Sequence, residues 1–153
     1  MGRTVFGMVD RQAKRYAADI MTIPANLDGG FGALIGLDMV EFDRAGARSV
    51  GRLTVAPEHL NPHHVLHGGV MYSMADQGMG AAVYCVLGEG ESCATIEVKI
   101  VYLAVVREGV VECESRVINR GKRVIALESD IRNGDRLVAK ALGTFAVFPI
   151  PAR

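Results

Sequence analysis

Tryptophan is absent from this chain, and neither sign of charge prevails, because 17 basic residues balance 17 acidic ones. A chain without net charge carries no electrostatic signal for nucleic acid or for a membrane surface. No apolar run reaches the roughly 20 residues that a spanning helix requires. The best candidate, residues 65–87, contains His67, Asp76 and four glycines. We therefore expect a soluble protein that binds neither nucleic acid nor membrane.

Cysteine is also scarce. Cys85, Cys93 and Cys113 are odd in number, and none has the CxxC spacing of a redox or zinc motif. Two of them stand inside apolar runs, where a thiol behaves as a small hydrophobic side chain. The N-terminus has Arg3 but no continuous apolar segment behind it, so a signal peptide is not expected. These features favour a reducing, cytoplasmic location.

The length of the chain predicts a single domain over residues 1–153, large enough to bury a core without a metal or disulfides. Residues 1–30 predict a short amphipathic helix, at residues 8–20, and a loop. Two strand-like runs follow, at residues 34–42 and 49–56. Residues 68–87 are apolar on all sides at helical spacing, which is typical of a helix surrounded by other elements.

After residue 91 the chain is rich in Val and Ile and predicts four strands, at residues 95–103, 110–118, 124–131 and 137–148. The links between them are short and one contains Asn-Gly, so an antiparallel four-stranded meander is expected. The predicted fold class is α+β. One curved antiparallel sheet wraps around a long central α-helix, preceded by the short N-terminal helix.

His67-Gly68-Gly69 stands where the central helix begins. The first turn of a helix has amides without internal partners and carries the positive end of the helix dipole. Glycine has no Cβ to keep a ligand away from those amides. Such a turn can bind an anion or a carbonyl oxygen that becomes an oxyanion. The alternative is that these glycines only ease helix packing.

Asp76 is the only charge between Gly68 and Gly88. Burying an unpaired carboxylate is costly, so Asp76 is a candidate base or nucleophile. Alternatively it bonds to nearby backbone or faces a solvent-filled seam. Ser73 lies one turn before it and Gly80 one turn after, so a small and polar stripe suited to a substrate groove runs along this face.

Helix geometry separates these two candidates. Gly68 and Asp76 are eight residues apart, which is about 12 Å along a helix. One carbonyl cannot lie about 3 Å from both groups on the same straight helix. If both serve one reaction, they must come from two copies of the chain, which predicts a homodimer with two equivalent sites.

Four histidines, His59, His63, His64 and His67, lie within nine residues and raise the possibility of zinc. The chain has no HEXXH motif, no cysteine lies near, and the loop prolines disfavour a regular ligand face. We therefore predict no metal site, and expect His67 to set the helix start or orient a substrate.

Asn61, then His67-Gly68 six residues later, then Asp76 nine residues after the histidine resemble the signature of PaaI-like hotdog-fold acyl-CoA thioesterases. The similarity extends over about residues 34–148 and includes the segment TIEVKIVYL. It implies a hotdog fold and hydrolysis of acyl-CoA or aryl-acyl-CoA thioesters to the free acid and coenzyme A. Coenzyme A is then part of the substrate, and no cofactor is expected.

The resemblance also implies roles. Asp76 would be nucleophile or general base, and the Gly68 amide of the partner subunit would polarise the thioester carbonyl. Asn61 and His67 would orient the thioester or the attacking water. Thr95 matches a position where relatives carry Ser or Thr near the reacting centre.

Other positions bear on substrate binding. Gly69, Ser73 and Gly80 are candidates for the groove wall, although some hotdog thioesterases carry Ser or Thr where Gly80 stands. Relatives also often have Pro soon after the Tyr-Leu pair that is followed here by Ala-Val-Val. Because of these departures, the sequence does not predict which acyl group the substrate carries. It also does not distinguish a dimer from a dimer of dimers.

Coenzyme A carries phosphates, so basic side chains are expected at the mouth of the site. Arg120, Lys122 and Arg123 cluster on one predicted turn and are the candidates. The alternative is that these charged side chains are simply solvated.

Two rival functions remain. A hotdog hydratase or dehydratase would need an HFPxxPxxPG-type loop, which is missing, and a non-catalytic acyl-CoA-binding module would leave the acid at Asp76 unexplained.

Overall fold

One six-stranded antiparallel sheet curves around one long helix in residues 30–150, the part of the chain that this computed structural model describes. The elements in chain order are α1 (Gly30–Leu34), β1 (Asp38–Asp43), β2 (Arg48–Thr54), a 3-10 turn (Pro57–His59), α2 (Gly68–Tyr84), β3 (Glu91–Tyr102), β4 (Val110–Arg120), β5 (Val124–Asn133) and β6 (Arg136–Pro149). The predicted α+β hotdog arrangement is confirmed. The helix predicted at residues 8–20 lies outside the described residues.

The strand order is β1-β2-β4-β5-β6-β3, so the predicted four-stranded meander is correct only for β4, β5 and β6. Strand β3 pairs with β6 at the edge of the sheet, and β4 pairs with β2. The physical reason is the length of the link after β3. Tyr102 is the last strand residue, and the seven residues 103–109 cross the end of the sheet instead of forming a hairpin. Val106 in this link is buried, and its carbonyl accepts the Leu66 N–H at 2.7 Å.

The first predicted strand, at residues 34–42, began too early. Residues Gly30–Leu34 are helical, and the Leu37 N–H donates to the Gly32 carbonyl at 2.9 Å. Gly36 has φ +64°, a left-handed conformation that commonly ends a helix. The strand therefore starts only at Asp38.

Helix α2 begins at Gly68 as predicted and packs its apolar side against the concave face of the sheet. Met71, Met74 and Met79 are buried there, and burial of such a side chain contributes roughly 1.5–3 kcal/mol. None of the helices in residues 30–150 combines the length and apolar character needed to cross a bilayer.

Small polar contacts fix the depth at which α2 sits. The buried Ser49 hydroxyl donates to the Gly78 carbonyl at 2.7 Å, and the Ser115 and Ser129 hydroxyls bond to each other at 2.7 Å. A Cβ added at Gly78 would lie 2.5 Å from Ser115 Oγ. The helix can approach the sheet this closely only because Gly78 has no side chain.

Two glycines of α2 should therefore respond oppositely to alanine. A Cβ at Gly80 would meet its nearest neighbour, Phe145 Cε1, at an ordinary 3.7 Å, so Gly80→Ala should raise the free energy of unfolding by up to about 1 kcal/mol through helix propensity. Gly78→Ala should lower it by about 1–3 kcal/mol, because the new methyl group displaces Ser115 from its hydrogen bond. Urea unfolding at one fixed protein concentration measures both. Equal stabilisation by the two variants would contradict this packing.

Candidate active site

Asp76 lies on α2 opposite the inner face of β3. The Thr95 hydroxyl donates to Asp76 Oδ1 at 2.8 Å, which joins residues 19 positions apart in the chain. The carboxylate is half-buried rather than fully buried, so the expected buried acid is corrected to one that faces an open cleft. Thr95 therefore holds one carboxylate oxygen, and the other has no hydrogen-bond partner among residues 30–150.

The cleft has a volume of about 480 Å³. It is lined by Phe31, Gly32, Tyr72, Ser73, Asp76, Gln77, Gly80, Ala81, Tyr84, Thr95 and Phe145. The structure thus brings together Asp76, Thr95, Ser73 and Gly80 around this cleft. Whether the small and polar stripe of α2 binds a substrate stays a prediction. The Ser73 hydroxyl itself donates to a backbone carbonyl one turn earlier, at 2.8 Å.

Sequence reasoning missed the aromatic walls of this cleft. Tyr72 stands one turn before Asp76 and Tyr84 two turns after it, so their helical spacing was a usable signal. Phe145 reaches the cleft only because β6 pairs with β3, with Phe145 opposite Thr95. No local pattern carries that information.

The start of α2 is the second cluster. His67 is the N-cap, and its Nδ1 accepts the Gly69 N–H at 2.9 Å. The His67 carbonyl accepts the Val70 N–H at 3.0 Å. Within residues 30–150, the Gly68 N–H is left as a first-turn amide without an acceptor. This is the donor that the helix start was predicted to offer.

Asn61 shapes the loop that leads to this helix. Its Oδ1 accepts the His63 N–H at 2.9 Å and the Val65 N–H at 3.4 Å. His59 is buried, and its Nδ1 accepts the Ala56 N–H at 3.0 Å. The side chains of residues 30–150 include no group of three metal-ligating residues placed to hold an ion.

The two clusters lie at different places along one uninterrupted helix. Because α2 runs continuously from Gly68 to Tyr84, Asp76 is about 12 Å along the axis from Gly68. The structure therefore does not bring Asp76 together with Asn61, His67 and Gly68 in a single chain.

Tyr102 is a further residue at the helix start that the sequence reasoning did not single out. Its hydroxyl donates to the Gly68 carbonyl at 2.9 Å. Tyr102 is about half exposed, but partial desolvation, and secondarily the nearby Tyr72, raise the pKa of its phenol above the ordinary value. Tyr102 is therefore a protonated donor at neutral pH.

The basic turn joins β4 to β5. Arg120 pairs with Glu91 at 2.8 Å, and the same carboxylate accepts the Gly88 N–H at 2.8 Å. The Gly88 amide, and then Arg120, lower the pKa of Glu91. Lys122 and Arg123 are exposed and make no ion pair with residues 30–150.

Strand register brings this turn near the cleft. Val124, which follows Arg123, pairs with Ala146, and Ala146 pairs with Ala94 beside Thr95. Two strand spacings amount to roughly 10 Å, within reach of a long substrate.

A family model and proteins of known structure both connect this chain with thioesterases. A model described as the Thioesterase superfamily matches residues 63–140. A conserved protein of Pseudomonas aeruginosa with a solved structure is 35% identical, with a TM-score of 0.76, over 83% of this chain and 100% of that one. A thioesterase of the same organism, solved in a mutant form, is 26% identical, with a TM-score of 0.75, over 82% of this chain and 91% of that one.

Curated relatives match over a shorter span. A Saccharolobus solfataricus protein named "Putative esterase" is 39% identical over 85 residues, 55% of this chain and 56% of the relative. An Archaeoglobus fulgidus protein of the same name is 32% identical over 60% of this chain. The match thus spans 56% and 59% of these two relatives' own lengths.

Cys93 offers a test of the cleft's electrostatics. It is half-buried on β3, and burial, followed by the Asp76 carboxylate, raises the pKa of its thiol. Asp76→Asn removes the nearby negative charge, so the pKa of Cys93 should fall and its thiolate fraction at pH 8 should rise. We expect faster alkylation by iodoacetamide, measured by mass spectrometry of the Cys93 peptide.

The control is Asp135→Asn, a charge removal on the exposed turn between β5 and β6. It should leave the alkylation rate of Cys93 unchanged. Equal rates in wild type, Asp76→Asn and Asp135→Asn would show that Asp76 and Cys93 are not electrostatic neighbours.

Proposed function

We propose that this chain, which belongs to the thioesterase superfamily, hydrolyses acyl-CoA or aryl-acyl-CoA thioesters to the free acid and coenzyme A. Asp76 carries the proposal. It is the one acid of α2, it faces a cleft with aromatic walls, and Thr95 holds one of its oxygens at 2.8 Å. A carboxylate in that setting is oriented and only partly solvated, as a base or nucleophile must be.

The reaction follows from these groups. As general base, the free carboxylate oxygen of Asp76 accepts a proton from water while the water oxygen attacks the thioester carbon. As nucleophile, the same oxygen attacks directly and water then hydrolyses the resulting anhydride. In either case the carbonyl oxygen becomes negative, the carbon–sulfur bond breaks, and the thiolate of coenzyme A leaves and takes up a proton.

The developing negative oxygen needs a donor, and the proposed donor is the Gly68 N–H of a second subunit. Its support is the first-turn amide at the positive end of α2, which has no acceptor among residues 30–150. The separation of about 12 Å between Gly68 and Asp76 rules out the same chain as the source. Strand β3 borders the cleft and has no further strand partner within residues 30–150, so a second copy can approach there.

Other residues complete the proposed site. His67 binds Gly69 through Nδ1, so its Nε2 is the atom available to orient the thioester or water, together with Asn61. Ser73 and Gly80 form groove surface without bulk. Gly69 lies outside the cleft lining, at the helix start, where its N–H donates to His67 Nδ1. Arg120, Lys122 and Arg123 would bind the phosphates of coenzyme A, with Lys122 and Arg123 the stronger candidates because Arg120 already pairs with Glu91.

A panel of acyl-CoA thioesters tests the reaction. Release of free thiol, followed with a thiol reagent, is expected for at least one member. Water addition to an enoyl-CoA without thiol release would indicate a hydratase. Binding without turnover of any member would indicate an acyl-CoA-binding module.

Asp76→Asn should lower kcat by about 100-fold or more, because the amide keeps the shape of the carboxylate and cannot accept the proton or attack. Acyl-CoA binding, measured by calorimetry, should survive. Asp135→Asn is the matched control and should keep wild-type turnover. Undiminished turnover in Asp76→Asn would remove the catalytic assignment.

Subunit mixing tests the shared site. Asp76→Ala and the double variant Asn61→Ala/His67→Ala should each be nearly inactive alone. When the two are unfolded and refolded together, about half of the dimers are mixed, and each holds one site with every group intact. Activity should return to about a quarter of wild type, since the other site of a mixed dimer carries both defects.

The mixed dimers can be verified by native mass spectrometry. If verified mixed dimers stay as inactive as their parents, the site is not shared and Gly68 does not serve the partner's Asp76.

A further inference from the structure

Tyr102 contacts Gly68 in two ways. The phenolic hydroxyl donates to the Gly68 carbonyl at 2.9 Å. The ring also covers the position where a side chain would stand, because a Cβ added at Gly68 would lie 2.9 Å from Tyr102 Cζ. The last residue of β3 and the first residue of α2 are thus in direct contact.

This contact addresses a weakness of a glycine amide. Glycine at the first position of a helix is the residue with the greatest backbone freedom, and helix ends fray. An oxyanion donor is effective when it is already aligned, because no reorganisation is then needed during the reaction. The Gly68 N–H therefore needs external restraint.

Two side chains hold the peptide unit that follows the Gly68 N–H from opposite ends, and so restrain the Gly68 backbone that carries this donor. The unit between Gly68 and Gly69 has its N–H bonded to His67 Nδ1 at 2.9 Å and its carbonyl bonded to the Tyr102 hydroxyl at 2.9 Å. His67 caps the helix locally, whereas Tyr102 ties it to the edge strand. The Gly68 N–H itself remains without a described acceptor.

We propose that Tyr102 is a positioning residue that fixes the first turn of α2, so that the Gly68 N–H is aligned for the thioester carbonyl at the site of the partner's Asp76. This inference rests on the proposed function. Tyr102 touches neither the reacting carbon nor Asp76, and it acts through Gly68 of its own chain.

The kinetic test is Tyr102→Phe, which keeps the ring over Gly68 and removes only the hydroxyl. Loss of one hydrogen bond that is needed in the transition state should lower kcat by roughly tenfold with KM unchanged. A purely structural residue would instead change thermal stability or KM. A kcat equal to that of wild type would overturn the inference.

Hydrogen exchange provides a readout that does not depend on activity. In Tyr102→Phe, the amides of residues 66–72 should exchange faster, while peptides from β4 and β5 keep wild-type protection. Unchanged exchange at the helix start would overturn the inference even if kcat fell.

Subunit mixing locates the action of Tyr102. Tyr102→Phe chains refolded with Asp76→Ala chains form mixed dimers in which one site combines an intact Asp76 with an intact Tyr102–Gly68 pair. Activity should rise to about a quarter of wild type, above either parent. If Tyr102 instead served Asp76 of its own chain, the mixture would show about 5% of wild type, given a tenfold defect.

These outcomes separate the two proposals. Wild-type protein that hydrolyses no thioester would overturn the proposed function, and hydrogen exchange would still decide whether Tyr102 fixes the turn. Active wild type with unaffected Tyr102→Phe would overturn the inference alone.

Discussion

The close packing of α2 against the concave sheet is the constraint on which the rest of the structure depends. A helix without charge on its buried side can be enclosed by a sheet. Because Gly78 has no side chain, α2 lies close enough to the sheet for the Ser49 hydroxyl to donate to the Gly78 carbonyl. Interiors packed at this density are not continuously deformable. Helix α2 is therefore rigid, and the distances between the groups along it are fixed.

Rigidity has opposite consequences for the two clusters of the proposed site. It orients Asp76 toward the cleft, where Thr95 of the edge strand can donate to it at 2.8 Å. It also holds the helix start about 12 Å away, too far for the same carbonyl. The rigidity of α2 thus orients each cluster of the proposed site and also keeps the two clusters apart within one chain.

Local pattern predicted much of this structure, and its failures have a common cause. Apolar periodicity located α2 and the β4-β5-β6 hairpins, because both are decided by neighbours in sequence. The position of β3 depends on pairing with β6, some forty residues later, and the long link after Tyr102 concealed it. Asp76 was identified as a lone charge. The resemblance placed Thr95 near the reacting centre, but the hydrogen bond between Thr95 and Asp76 was not predicted. Tyr102 was missed because a bulge between Thr95 and Glu97 breaks the alternation that would place both residues on the inner face.

Strand β3 connects these observations. It provides Thr95 to the Asp76 cluster and Tyr102 to the Gly68 cluster, so one edge strand supports both halves of the proposed site. Its other side is unpaired within residues 30–150, and its outward residues Ile96 and Val101 are exposed. An unpaired edge strand is a surface that proteins normally cover, although this one also exposes the charged Glu97 and Lys99. A two-fold axis beside this edge would cover it with its own copy, and would bring the Gly68 end of each chain toward the Asp76 of the other. Such an interface uses the same surface of both chains. The Asp76 cluster of each chain would therefore meet the Gly68 cluster of the other, and the dimer would contain two complete sites.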